Sequence, residues 1–322
     1  MTSNTRRHLF LALKLVISVV LVGMLLQSVG AEDAFLRMIE IDPLWLMASI
    51  GFGFAQMVLG TFRWQLVLKS IKAKMSWVQL LRFNFIGGFF NQTLPSSVGG
   101  DAVRGFMAYR AGLGVGAAVN SILLDRIATV IGLVLLVAVM TFMHGATLEG
   151  GEWFTSSVMS VVLVALCGLV VLMVMDRMPT RIRHFRMIEG ISALAVDARR
   201  TFLHPLYSPA LISVCVMGHI NMTMIIYMLA LGLGVDVSLS NCLLLFPPVL
   251  LIQTIPISVA GWGVREGAMV TLFALAGIGG ESVLAISILF GLVMIVISLP
   301  GVILWLISGR NTLKQAEAFA ER

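Results

Sequence analysis

The sequence predicts an all-α polytopic membrane protein, with about six spanning helices and two re-entrant helical hairpins in an inverted repeat. Three observations carry this. Hydrophobic residues make up 59% of the 322 positions and charged ones 12%, about half the charge of a soluble domain. With a mean hydropathy of +0.99, so much apolar sequence exceeds what one soluble core absorbs, but lipid accommodates it. Finally, the stretch Gln92–Arg104 recurs 161 positions later (253 − 92) as Gln253–Arg265, with 8 of 13 residues identical.

The elements follow from apolar run length, since a spanning helix needs roughly 20 apolar residues for about 30 Å of hydrocarbon. The first expected span, about 9–29, follows Arg6 and Arg7. It resembles a signal peptide ending at Ala31, but its apolar run is longer than usual and contains Lys14, so an uncleaved helix is expected. Further spans are expected at about 44–66, 118–143, 154–175, 208–233 and 282–308. Two apolar stretches, about 79–94 and 241–256, are short for a crossing, and each leads into one copy of the duplicated turn. The apolar residues of 181–203, among them Leu194, Ala198 and Phe202, recur every three to four positions. An amphipathic helix on the cytoplasmic surface or a solvated basic loop fits that pattern.

Loop charge assigns the sides. Arg6 and Arg7 place the N-terminus in the cytoplasm, and Arg310 and Lys314 do the same for the C-terminus. Glu32, Asp33, Glu40 and Asp42 put the 30–43 connection outside; Lys69, Lys72 and Lys74 return the chain inside. Glu149 and Glu152 mark an outer loop, and Arg177, Arg181, Arg183, Arg186, Arg199 and Arg200 an inner one. Segment 79–116 then enters and leaves by the cytoplasmic face, and segment 241–280 by the outer face. Residues 1–150 form the first repeat and 151–322 the second, each with three crossings. That odd number turns the second upside down, as in many secondary transporters.

Pro95 and Pro256 each end one arm of a hairpin, because proline lacks the N–H that a helix interior needs. Gly99, Gly100, Gly261 and Gly263 permit the tight turns that follow. Non-helical backbone at membrane depth survives only when covered by protein or lining a wet cavity. The two tips should therefore meet near the middle and form the site. Arg104 and Arg265 are its leading ligand residues, since an intramembrane charge is costly and an arginine fork suits phosphate. Gln92, Gln253, Ser97 and Ser258 lie on the same turns, with Asp101 and Glu266 beside the arginines. The alternative, that Asp101 and Glu266 pair with the arginines to hold the hairpins in shape, stays open. Asp125 and Arg126 read as a local ion pair, and Arg63 as a side chain snorkelling from its helix end. His219 and Asn221 read as interhelical hydrogen bonders.

The net charge of +6 sits in short loops between spans, so it implies membrane topology and no nucleic-acid partner. Cys167, Cys215 and Cys242 lie in apolar runs at no metal-ligand spacing. No nucleotide, metalloprotease or nucleophile-elbow motif occurs, so no cofactor or metal is expected, and ATP-driven pumping by this chain alone is not expected.

At Asn91-x-x-x-Pro95-x-x-x-Gly99-Gly100-Asp101-x-x-Arg104 and Pro256-x-Ser258-x-x-Gly261-x-Gly263-x-Arg265-Glu266, the chain resembles a flippase-like membrane family. That family includes the transmembrane region of lysylphosphatidylglycerol synthase, the multiple peptide resistance factor. The resemblance covers nearly the whole chain and implies a bacterial or archaeal inner-membrane protein that moves a lipid between leaflets. Ending at Arg322 without a soluble aminoacyl-transfer domain, the chain is expected to translocate and not to synthesise the modified lipid. The expected partner is an anionic or phosphate-bearing membrane lipid, phospholipid or glycolipid. Two other classes stay open: a lipid-modifying transferase using Asp101 or Glu266 as acid or base, and a non-transporting partner of a separate lipid-synthesis enzyme. The headgroup, tail, energy source and oligomeric state are not written in the sequence.

Overall fold

A computed structural model describes residues 31–93, 99–145, 151–174, 186–254 and 261–320. These form eleven helices and, among the described residues, no strand. In chain order they are α1 (Ala31–Ile39), α2 (Pro43–Ser70), α3 (Trp77–Thr93), α4 (Gly99–Arg110), α5 (Val115–His144) and α6 (Gly151–Val174). Then come α7 (Arg186–Phe202), α8 (Tyr207–Gly232), α9 (Leu239–Gln253), α10 (Val264–Ala274) and α11 (Gly280–Ala320).

Five of these are long and apolar enough to cross a membrane: α2, α5, α6, α8 and the Gly280–Ile307 part of α11. They match the five expected spans after the first, which lies outside the described residues. The arms of the two expected hairpins are shorter. At 17 and 12 residues for α3 and α4, and 15 and 11 for α9 and α10, none reaches the roughly 20 residues a crossing needs.

Local chemistry sets several helix starts. Asp42 Oδ1 accepts the Leu44 N–H at 2.8 Å, with Pro43 at the first helical position, where its missing N–H costs nothing. At α3, Ser76 Oγ accepts the Gln79 N–H at 3.3 Å while Gln79 Oε1 accepts the Ser76 N–H at 3.4 Å, a reciprocal cap. Ser238 Oγ accepts the Asn241 N–H at 3.1 Å to start α9. Inside α9, Pro247 and Pro248 are buried and supply no backbone donor.

Helices α2 and α8 make the most extensive pairing and form the centre. Around them α3 packs on α2, α4 and α11, and α9 packs on α8, α10 and α5. Helices α4 and α5 pack together, as do α10 and α11; α5 and α11 each touch both central helices. Small residues bring backbones close. A Cβ on Gly53 of α2 would lie 1.8 Å from Ile297 Cδ1 of α11, and one on Gly301 of α11 would lie 2.2 Å from the Phe85 carbonyl of α3.

Helix α6 is the least covered span. Phe154 and Val158 anchor one end in the main apolar cluster, and Leu169, Leu172 and Met173 hold the other against Leu124, Ala128 and Leu211. Between these ends α5 and α6 leave an apolar groove of about 560 Å³ with Arg126 on its lining.

The amphipathic stretch is helical from Arg186 onward; residues 181–185 lie outside the described residues. Its apolar face docks on protein. Ala198 and Phe202 are buried against Val67, Leu124 and Leu211, and Ala195 is buried as well. Thr201 and Ser70 share a hydroxyl hydrogen bond at 2.7 Å, and Asn120 donates to Asp197 at 2.8 Å.

Candidate functional site

Two glycines let α3 and α4 cross in contact. A Cβ on Gly100 would lie 1.9 Å from the Gly87 carbonyl, and one on Gly87 would lie 2.4 Å from Arg104 Cγ. At this crossing Asn91 Oδ1 accepts the Gly100 N–H at 2.9 Å, so α3 caps α4. The expected turn glycine Gly100 thus serves close approach and not a left-handed backbone.

The crossing fixes Arg104, which is 4% exposed, in a cluster drawn from four helices. Its Nη2 donates to Asp101 Oδ1 at 2.7 Å and to Asp125 Oδ2 at 3.1 Å; Nη1 donates to Asn84 Oδ1 at 3.1 Å. The guanidinium lies over the Trp64 ring, 4.9 Å from its centroid. Asn84 is oriented by its own donation to the Met57 carbonyl at 2.9 Å. Arg63 forks onto Asp125, and Arg126 Nε donates to Asp101 Oδ2. Three arginines thus meet two aspartates, leaving one positive charge in excess (3 − 2) among these five residues.

Two sequence expectations are corrected here. Arg63 does not snorkel: its side chain is 16% exposed and is committed to Asp125. Asp125 and Arg126 do not pair with each other. Adjacent helical residues point about 100° apart, so Asp125 faces inward while Arg126, 48% exposed, reaches Asp101 from the groove side.

Helix α10 and the turn that leads into it build a smaller cluster. Gly261 and Gly263 have φ of +83° and +86°, a backbone that glycine adopts without penalty. The Gly263 N–H donates to Glu266 Oε2 at 2.6 Å, capping α10 from within. Arg265 Nη2 donates to Glu266 Oε1, and its Nε donates to Ser287 Oγ at 3.0 Å. Trp262 and Phe290 flank the guanidinium, with centroids at 4.9 and 5.3 Å.

The two arginines share no hydrogen-bond or ion-pair partner among the described residues. On α11, Gly291 abuts Arg265, whereas Gly301 abuts Phe85, two residues from the Gly87 that abuts Arg104. Ten residues of helix separate those levels by about 15 Å. Arg104 and Arg265 therefore sit in separate clusters, while the expected meeting of the two tips falls on 94–98 and 255–260, outside the described residues. Gln92 and Gln253 end their arms half-buried. Gln253 lies against Gly261 and keeps a buried Nε2 with no partner among the described residues. Gly99 starts α4; Pro95, Ser97, Pro256 and Ser258 lie outside the described residues.

A family model described as "Lysylphosphatidylglycerol synthase TM region" matches residues 11–301. The chain belongs to this family. It is also similar to a UPF0104 membrane protein of Methanothermobacter thermautotrophicus, 25% identical over 307 residues, covering 85% of this chain and 87% of that protein. The family and the apolar helices make it a multi-pass membrane protein of a family related to lipid handling.

For this member of the lysylphosphatidylglycerol synthase TM-region family, the largest omission from the sequence reading is the role of Arg63, Asn84, Asp125 and Arg126. The signal was present: each is a polar or charged residue inside or beside an apolar run, costly there without partners. Ser287, Trp262 and Phe290 carry no such signal. His219 and Asn221 do make interhelical hydrogen bonds, to the Thr129 carbonyl at 2.9 Å and to the Phe52 carbonyl at 2.9 Å.

Proposed function

We propose that the protein moves a phosphate-bearing lipid between leaflets of the cytoplasmic membrane, with both termini in the cytoplasm. The observation that carries this reading is the five-residue charge cluster around Arg104, largely buried apart from half-exposed Arg126, with its one cation in excess. Uncompensated charge within a membrane bundle calls for an anionic ligand, and an arginine fork matches phosphate. Both carboxylates proposed as acid or base are fully engaged: Asp101 takes two arginines, and Glu266 takes Arg265 and the Gly263 N–H. This favours transport over a transferase.

The proposal includes an inverted repeat with two re-entrant hairpins, α3–α4 and α9–α10, entering from opposite faces. Its support is that the packing is paired. Matching α2–α5 to α8–α11 turns the α2–α3 contact into α8–α9, α3–α11 into α9–α5, α4–α5 into α10–α11, and α2–α11 into α8–α5; α2–α8 maps onto itself. Arg104 and Arg265 then sit in equivalent clusters at two depths, suited to two stations for one phosphate.

The experiment is leaflet-resolved lipid transport in vesicles. Arg104→Gln and Arg265→Gln should each abolish movement of a labelled phospholipid, with monodisperse elution retained, and Arg→Lys should rescue poorly. Recovery of transport in Arg104→Gln/Asp101→Asn would make the arginine a scaffold and overturn its role as ligand.

A further inference from the structure

The groove between α5 and α6 belongs to neither cluster, yet it touches the first one through a single residue. Arg126 is the charged residue on its lining; the rest is apolar, including Val134 and Ala138 of α5 and Val162, Gly168 and Leu172 of α6. Arg126 and Ala138 are twelve residues apart, so the groove runs about 18 Å along α5, close to the roughly 15 Å hydrocarbon depth of one leaflet. On α6, Val162 lies eleven residues from the start of the helix, about 16 Å and so near mid-membrane, and Leu172 lies close to the other end. The groove therefore spans the leaflet whose loops are basic, with its one cation at the headgroup end.

We infer that this groove binds one acyl chain of an anionic phospholipid from that leaflet, with the lipid phosphate on Arg126. The inference rests on the lipid reading above, though not on transport. Charge complementarity selects the occupant. The cluster has a cation in excess, and Arg126 is its half-exposed member, so a phosphate reaches it without unburying Arg104. Arg126 now donates to Asp101, whose other oxygen takes Arg104. A phosphate on Arg126 competes for that bond and so reports occupancy of the groove to the hairpin. Helix α6, poorly covered by its neighbours, leaves the groove open sideways to lipid.

The test is native mass spectrometry of the full-length protein in detergent, titrated with dioleoyl phosphatidylglycerol, dioleoylglycerol or glycerol 3-phosphate. Gly168→Phe fills the groove, and a Cβ there meets nothing within 4 Å, so the fold should accept it. Val171→Phe places the same ring on the exposed side of α6. Gly168→Phe should weaken phosphatidylglycerol binding at least about tenfold, roughly 1.4 kcal/mol, while Val171→Phe leaves it unchanged. Arg126→Gln should bring phosphatidylglycerol down to the affinity of dioleoylglycerol, and glycerol 3-phosphate should not displace the lipid. Unchanged binding in Gly168→Phe, or equal affinity of the unsubstituted protein for the two lipids, overturns the inference. Because binding is read without a second leaflet, a failure here leaves the transport reading intact, and a transport failure leaves this one intact.

Discussion

Arg63 and Asp125, far apart in the sequence, meet through two guanidinium donors at 2.7 and 3.1 Å, one to each carboxylate oxygen. This bidentate pair joins α2 to α5 at the floor of the first cluster. Removing one partner of a buried pair typically costs about 3–5 kcal/mol, because the other is left charged and unpaired. Asp125→Asn should sit at the upper end, since Arg104 loses a partner as well. Thermal unfolding in detergent should show both single variants destabilised and Arg63→Gln/Asp125→Asn less so than the sum. Strict additivity would mean the two side chains do not act together.

The α3–α4 crossing depends on Gly100 more than on any turn conformation. Gly100→Ala drives a methyl into the Gly87 carbonyl, and overpacking of this kind costs about 1–3 kcal/mol. The hairpin should open, with increased protease or thiol-reagent access to a cysteine placed at Ala108. Unchanged access would show that the crossing is looser than the structure gives.

Gly263→Ala should cost about 1–3 kcal/mol, because φ +86° with ψ −48° is a backbone that glycine adopts far more readily than alanine. Glu266→Gln should cost more, because it unpairs Arg265 and weakens the α10 cap together. Comparing the two melting temperatures separates backbone from charge: if the Gln variant is as stable as the parent, the second cluster holds nothing together.

Cysteines replacing Lys72 and Arg110 should label only from the cytoplasmic side, and cysteines at Asp236 and Glu281 only from the other. Labelling of 72 and 110 from opposite sides would make α3–α4 a crossing and remove the inverted repeat.

The spans were legible because their apolar runs have the length that hydrocarbon demands. Helices α3 and α9 were legible as short apolar helices because their runs fall below that length. Partnership was much less so. Asp125 and Arg126 are neighbours in sequence, but helical geometry points them at different helices, and only packing decides which aspartate each cation meets. Arg63 looked like a residue seeking the interface because sequence gives its depth and not what stands beside it. Similarly, the apolar face of α7 was visible as a pattern, yet nothing in a pattern says whether lipid or protein covers it; Val67, Leu124 and Leu211 do.

The unequal count of three arginines and two aspartates has an electrical side. A transmembrane voltage of 100 mV does about 2.3 kcal/mol of work on one elementary charge carried fully across. The empty cluster presents one such charge to the field. With a monoanionic phosphate bound, its charge sums to zero, so voltage acts on the empty protein and scarcely on the loaded one. If the protein moves lipid as proposed, any rearrangement of the first hairpin along the field without lipid bound should be faster in one polarity, whereas the step that carries lipid should proceed at the same rate in both.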